Sequence, residues 1–129
     1  MKKFINIYLS LIVTTIIFFN CANCSAENLK FIDSNDDTGY FIDTDSLKIE
    51  SGSAFTVNLM IIRASINQME VVDLRIDHSA KTYTIRSVQT LSYDERTVLK
   101  SDRKTRYPRS YDSNSLMGEI VRIVVYHIN

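Results

Sequence analysis

Residues 54–78 read AFTVNLMIIRASINQMEVVDLRIDH, and the alternation within this stretch decides the fold class. Every second residue of each half is apolar, which groups together Phe55, Val57, Leu59 and Ile61 and, further on, Val72, Leu74 and Ile76. A period of two with one polar face is typical of antiparallel strands with one side on a core and one side in water. The link ASINQ, residues 64–68, has the length of a hairpin connection. The stretch therefore predicts two neighbouring strands of an antiparallel sheet.

The segments on either side carry the same signal. Downstream, KTYTIRSVQTLS at residues 81–92 sets polar residues against Tyr83, Ile85 and, less regularly, Leu91, and RTVLKS at residues 96–101 predicts a further short strand. Upstream, NLKFID, GYFID and LKIESGS read as short strands separated by turns. Gly39 is predicted to take positive φ in the first turn, and Gly52 lies in the second. Together these runs predict a meander of five to six strands.

The C-terminal segment SNSLMGEIVRIVVYHIN, residues 113–129, changes period. Apolar residues recur at helical spacing and form a wide stripe, which begins at Leu116 and reaches His127. Ser115 is placed to cap the helix, although the pair Val124 and Val125 would also suit a strand. Since one face of the sheet needs a cover, we predict an α+β domain in which a C-terminal α-helix packs on one face.

Residues 1–26 have the layout of a secretory signal peptide: Lys2 and Lys3, an apolar run, and small residues before Glu27. The prediction is cleavage after Ala26, leaving one domain at residues 27–129 that is exported to the periplasm, the cell surface or the medium. Two alternatives stay open, a membrane anchor formed by residues 4–19 and a lipid anchor at Cys21 or Cys24. A CxxC metal or redox site is disfavoured because both cysteines lie in the leader.

The charge of the predicted mature chain argues against a nucleic-acid partner. Removing Lys2 and Lys3 leaves 13 basic residues against 15 acidic ones, a net charge of −2. No cysteine remains in residues 27–129, so packing alone must hold the domain together in an oxidising compartment. No membrane span is predicted after the leader.

Catalytic and metal-binding patterns are weak. His78 reads as a turn residue and His127 as a helix-end residue near the negative end of the helix dipole. Asp33, Asn35 and Asp37 have calcium-loop spacing, but the glycine and glutamate of such a loop are missing, which favours a capped turn. We therefore predict neither enzyme activity nor a cofactor, with a small hydrolase built around His78 as the competing hypothesis.

The strongest local signal is KSDRKTRYPRSY, residues 100–111, which we call the basic segment. Its candidate binding residues are Lys100, Arg103, Lys104, Arg106, Tyr107 and Arg109, against a single acid, Asp102. Clustered cations with an interleaved aromatic residue can bind sulfated glycans or an acidic protein surface. The alternative is a solvated loop in front of the helix.

The order of these elements resembles the surface-adhesin protein E family of secreted bacterial domains. The residues that match its loose motifs are Tyr40, Asp43 and Ser46 in the entry strands and Pro108 and Ser115 before the helix. The resemblance implies a disulfide between sheet and helix, but His78 stands at one of these positions and Val124 or Val125 at the other.

The function that the resemblance implies is that of a bacterial surface protein, an adhesin-like module that binds extracellular-matrix protein or sulfated glycan without catalysis. The alternative is a periplasmic structural or assembly protein. Homodimerisation through an edge strand is a further hypothesis.

Overall fold

The computed structural model describes residues 28–128, with side chains as far as Tyr126. The predicted signal peptide, including Cys21 and Cys24, lies outside these residues, as does the side chain of His127. In chain order the elements are β1 (Leu29–Asn35), β2 (Thr38–Ile49), β3 (Ala54–Arg63), β4 (Gln68–Asp77), β5 (Thr82–Ser92), β6 (Val98–Asp102), β7 (Arg109–Ser110) and helix α1 (Leu116–Ile128).

The strands form one antiparallel sheet in the order β1-β2-β3-β4-β5-β6, and β7 also pairs with β5. The predicted α+β class, a meander followed by a C-terminal helix, is confirmed. The sheet has seven strands where five to six were predicted, because the chain after β6 returns to β5 for the two residues of β7. A 3₁₀ turn at Ala64–Ile66 closes the central hairpin, and Asn67 takes the left-handed conformation after it.

The break predicted between GYFID and LKIESGS is absent, since residues 39–43 and 47–49 all belong to β2. An irregularity in the pairing with β3 lies between Asp43 and Lys48. There the Ser46 hydroxyl donates to the Asp43 carbonyl at 2.6 Å and accepts from the Asn58 amide at 2.8 Å. A side chain thus replaces part of the strand ladder, and the strand continues past its polar stretch.

The prediction that Gly39 takes positive φ in the turn between β1 and β2 is wrong. Positive φ falls on Asp36, at 53°, while Gly39 lies inside β2. A Cβ at Gly39 would come within 2.8 Å of Cε2 of Phe41, whose ring packs edge-on against Phe31 at a centroid distance of 5.6 Å. Gly39 therefore makes room for an aromatic ring. The second predicted turn is confirmed, with Gly52 at a φ of 60°.

Helix α1 covers one face of the sheet. Ile120 and Val124, 0% and 1% exposed, join the main buried cluster, whose sheet members are Ile42, Phe55, Val57, Leu59, Val72, Leu74 and Ile76. Ser115 caps the helix as predicted: its hydroxyl accepts from the Gly118 amide, and its carbonyl accepts from the Glu119 amide. The face predicted for β3 and β4 from alternation is thus the face under the helix.

The other face was predicted to be wet, and that prediction is wrong at one end of the sheet. Met60, Met69 and Leu91 form a second buried cluster there, surrounded by Leu29, Phe41, Ile62 and Val71. Long apolar side chains can bury one another on a sheet face without a covering helix.

The irregular alternation of β5 has a structural cause. The consecutive residues Asp73 and Leu74 pair with Ser87 and Ile85, which leaves Arg86 as the extra residue of a bulge. A bulge shifts the alternation by one residue, so apolar residues before and after it can lie on opposite faces. The apolar end of β5 therefore belongs to the second cluster, and not to the face of Ile85 as predicted.

Candidate functional site: a basic sheet edge and an adjoining groove

The basic segment lies along the outer edge of β5, where the sequence suggested a loop in front of the helix. Its start belongs to β6 and its end to β7, both paired with β5. In between, the Arg106 amide donates to the Ile85 carbonyl at 2.9 Å. Residues 98–110 therefore follow one strand almost from end to end, and the structure spreads the predicted binding residues along a line.

The side chains of this edge are open to solvent. Lys100, Arg103, Lys104, Arg106 and Arg109 are all exposed, and Tyr107 is 92% exposed. Among residues 28–128, only Arg106 of these five cations has an ion pair, with Nη2 at 3.5 Å from Oδ2 of Asp102. The other four cations have no ion pair within the described chain and are available to an anionic ligand.

Tyr111 differs from Tyr107, although both were grouped with the basic segment. It is half-buried and packs against the main core. Burial, and to a smaller extent the charge of Asp77, raise the pKa of the Tyr111 hydroxyl. Tyr111 thus anchors the end of the segment, while Tyr107 is the aromatic residue that a ligand can reach.

The edge divides its cations between the two faces of the sheet. Lys100 pairs with Thr90 and Arg109 pairs with Tyr83, and both positions lie on the helix-covered face by register. Arg103 instead lines a groove on the other face. The predicted residues therefore form a strip along the edge, from which one arginine is directed to the open face.

This groove, with a volume of about 310 Å³, was not predicted. Two rows of cross-strand neighbours form its floor: Asn58, Asp73 and Ser87 in one row, and Val71, Gln89 and Ser101 in the next. Arg103 closes it at the edge. Sequence alternation placed Asp73 on a polar face, but the rows depend on the bulge in β5 and on the pairing of β6, which alternation does not reveal.

Beside the groove lies a charge network on the open face. The Arg86 guanidinium binds both carboxylate oxygens of Asp73, with Nη2 distances of 3.0 and 2.9 Å. Arg75 Nε donates to Oε2 of Glu50 at 2.7 Å, and Arg86 Nη1 lies 3.9 Å from the other Glu50 oxygen. The negative charge of Asp73 is thus largely neutralised within the protein.

A second cleft, of about 250 Å³, lies beside His78, which was predicted to be a turn residue. His78 and Ser53 line it together with apolar residues of β2, β3 and α1, including Val125. The Ser53 hydroxyl is bound to Oδ1 of Asp77 at 2.7 Å and to the Ser79 hydroxyl at 2.7 Å.

These bonds make the Ser53 cluster a turn cap. Hydrogen bonds from Ser53, then from the Ala80 amide and Ser79, lower the pKa of Asp77 to about 2. The carboxylate is therefore ionised at neutral pH. Its Oδ1 accepts from the Ser79 and Ala80 amides and lies within hydrogen-bond distance of the Ser53 and Ser79 hydroxyls. The arrangement is that of an Asx turn at the end of a strand, and the bonds of the serine hydroxyl lead to Asp77 and Ser79 instead of to His78.

The segment with calcium-loop spacing, for which a capped turn was favoured, is a hydrogen-bonded hairpin turn between β1 and β2. Asp33 Oδ1 accepts from the Ser34 amide at 2.8 Å, and Asp37 accepts from the Ser65 hydroxyl in the next hairpin. This serine bond is the main cause of a lowered pKa at Asp37. Within the described part of the chain, no group of three or more His, Cys, Asp or Glu side chains is arranged to hold a metal ion.

The fold and the basic sheet edge together define the class of the protein. It is a small α+β domain, mostly of β-strands, with a strip of basic residues along one edge of the sheet. Comparison with protein-family models, with curated proteins and with solved structures found no match. In residues 28–128, no helix has the length and apolar character that crossing a membrane requires.

Proposed function

We propose that this protein is an exported, adhesin-like bacterial surface module that binds an extracellular polyanion, a sulfated glycan, along its basic edge without catalysing a reaction. The observation that carries the proposal is the strip of four exposed cations without an ion pair in the described chain: Lys100, Arg103, Lys104 and Arg109. An extended array of cations with little competing negative charge attracts a polyanion and raises its association rate.

The length of the strip suits a linear ligand. The segment of β5 that the cations follow, from Tyr83 to Thr90, spans about 23 Å at the usual rise of about 3.3 Å per residue. Tyr107 lies between the cations and can stack on an apolar sugar face. A linear glycan can contact the whole strip, whereas a compact anion can contact only part of it.

Two features support the resemblance to the surface-adhesin protein E family. Asp43 and Ser46, which match its entry motif, together build the irregularity of β2. His78 and Val125, at positions where the resemblance implies a disulfide, line one cleft. An exported location, with the chain beginning at Glu27, is part of the same proposal.

The test is binding of the protein, produced from its full sequence, to immobilised heparin. The variant Lys104→Gln/Arg109→Gln removes two charges from the strip, and Lys30→Gln/Lys48→Gln removes two exposed charges from β1 and β2 as a matched control. We expect the strip variant to elute at clearly lower salt and the control to elute like the unmodified protein, since salt screens exposed charges.

Equal elution of the two variants would refute the strip as the contact. Binding to acidic matrix proteins but not to heparin would mean that the ligand is an acidic protein and not a sulfated glycan. If the folded protein binds neither, and labelling of intact cells does not reach it, the proposal gives way to a periplasmic structural or assembly protein. Sedimentation of the same samples tests the proposed homodimer.

A further inference from the structure

We propose that the groove on the open face binds a single anionic sugar unit, with Arg103 holding its carboxylate or sulfate group. This inference rests on the proposed function, because it identifies the place where a polyanionic glycan would leave the edge and contact the face. Arg103 belongs both to the basic strip and to the groove wall, so the two surfaces are continuous.

The groove offers polar side chains that have no hydrogen-bond partner among residues 28–126. Asn58, Ser87, Gln89 and Ser101 line it, and their side chains make no hydrogen bond to the described residues. Two carboxamides and two hydroxyls can each donate and accept. Sugar hydroxyls also do both, so this set is suited to a saccharide more than to a simple anion.

The positions of these groups follow from the strand register. Asn58 and Ser87 flank Asp73 in one row, while Gln89 lies between Val71 and Ser101 in the neighbouring row. Strands are about 4.8 Å apart, and residues on one face of a strand recur about every 7 Å. By these spacings Gln89 lies about 5 Å from Ser101 and about 7 Å from Ser87, so these three groups are within reach of one sugar ring, while Asn58, about 10 Å from Ser87, can contact a substituent of that ring.

The remaining members of the groove complete the recognition of such a ring. Val71 is half-buried in the floor and provides an apolar surface for the C–H face of a sugar. Asp73 is held by Arg86, so its charge is compensated and opposes an anionic ligand less. Arg103 has no ion pair in the described chain, and its planar guanidinium can bind a carboxylate or sulfate through two parallel hydrogen bonds.

The volume of about 310 Å³ lies at the lower limit of small-molecule sites, which begin at roughly 300 Å³. This favours one sugar unit in the groove, with the rest of a glycan chain on the edge. We expect the binding of short glycan fragments to depend mainly on the groove and the binding of long glycan chains to depend mainly on the strip.

The experiment is a titration of the ¹⁵N-labelled protein, produced from its full sequence, with a heparin tetrasaccharide, followed by the side-chain amide signals of Asn58 and Gln89. We expect both signals to shift. Gln89→Ala is expected to weaken tetrasaccharide binding about fivefold or more, the loss of roughly one hydrogen bond, and to shift elution from long-chain heparin less than Lys104→Gln/Arg109→Gln does. Ser87→Ala is the second variant, for use if Gln89→Ala does not fold.

Two Arg103 variants test the anion contact. Arg103→Gln is expected to weaken tetrasaccharide binding about tenfold or more, and Arg103→Lys, which keeps the charge but not the planar fork, is expected to recover only part of the loss. Desulfated and carboxyl-reduced tetrasaccharides show which group Arg103 holds.

The outcomes distinguish this inference from the proposed function. If the tetrasaccharide shifts only backbone signals near Lys104 and Arg109, and Gln89→Ala binds it as tightly as the unmodified protein, the groove inference is wrong and the proposed function stands. If heparin of every length fails to bind, the proposed function is wrong, and the groove inference is overturned with it.

Discussion

The guanidinium of Arg86 binds the carboxylate of Asp73 across the β4–β5 pair, with Nε 3.1 Å and Nη2 2.9 Å from the same oxygen. Arg86 is also the extra residue of the bulge in β5. The bulge thus directs the Arg86 side chain towards Asp73 on the neighbouring strand. It also shifts the alternation of the rest of β5 by one residue. One local irregularity places the charge network and the groove side by side.

The first prediction concerns the strength of this pair. In a double-mutant cycle with Arg86→Gln and Asp73→Asn, we expect a coupling free energy of unfolding below about 1 kcal/mol, because the side chains are 40% and 29% exposed and solvent screens them. Urea denaturation of the four proteins measures it. A coupling free energy well above this value would mean that the ion pair itself helps to stabilise the bulge in β5.

Two adjacent valines in α1 give a matched comparison. Val124 is 1% exposed and belongs to the main core, whereas Val125 is 37% exposed. We expect Val124→Ala to lower the free energy of unfolding by about 2 kcal/mol and Val125→Ala to lower it by less than about 1 kcal/mol, because only the first leaves a cavity. Equal losses in urea unfolding would show that the helix packs on a different face.

Gly118 tests the approach of the chain to the first turn of α1. An added Cβ there would overlap the Ser113 carbonyl oxygen. Helix propensity alone predicts that Gly118→Ala stabilises the protein by about 1 kcal/mol. We expect the opposite, a destabilisation of at least about 1 kcal/mol, since backbone atoms would have to move. A thermal melt decides the sign, with Arg122→Ala, at an exposed position of the same helix, as the near-neutral control.

The lowered pKa of Asp77 predicts acid sensitivity. Because its pKa falls from 3.8 to about 2 on folding, the folded state favours the ionised carboxylate. The resulting stability is complete above the unfolded pKa and is lost as the pH falls from 3.8 towards 2.

Urea midpoints measured at neutral pH and across this acid range test the effect. Asp77→Asn removes the titration, so its midpoint should fall less steeply over the range than that of the unmodified protein. Parallel curves for the two proteins would show that the other carboxylates with lowered pKa values, Asp37 and Asp94, dominate the acid response.

A fifth prediction tests the family resemblance. The resemblance implies a disulfide from position 78 to position 124 or 125, and His78 and Val125 line one cleft. On this basis we expect the variant His78→Cys/Val125→Cys to form a disulfide under oxidising conditions and to raise the melting temperature, as closing a long loop commonly adds about 2–4 kcal/mol. The reduced variant is the control. Two free thiols after oxidation would remove this support for the resemblance.

Sequence alternation predicted most of the strands because burial of one sheet face imposes a period of two on neighbouring residues. The face of Phe55, Val57 and Leu59 is under the helix as predicted. The predicted break in β2 failed because of a hydrogen bond to the neighbouring strand: the Ser46 hydroxyl accepts from the Asn58 amide, and β2 continues past its polar stretch. Local pattern contains no information about such a partner.

The candidate site shows the same division. The sequence alone identified the cations of the basic segment, because charge clustering is visible in one dimension. Their arrangement along the edge of β5, and the placement of Arg103 in the same groove as Asn58 and Gln89, depend on the register of four strands. Register is set by pairing between residues far apart in the chain and by one bulge. For this reason the sequence determined the elements and the charge of the site, and only the tertiary structure decided which side chains meet.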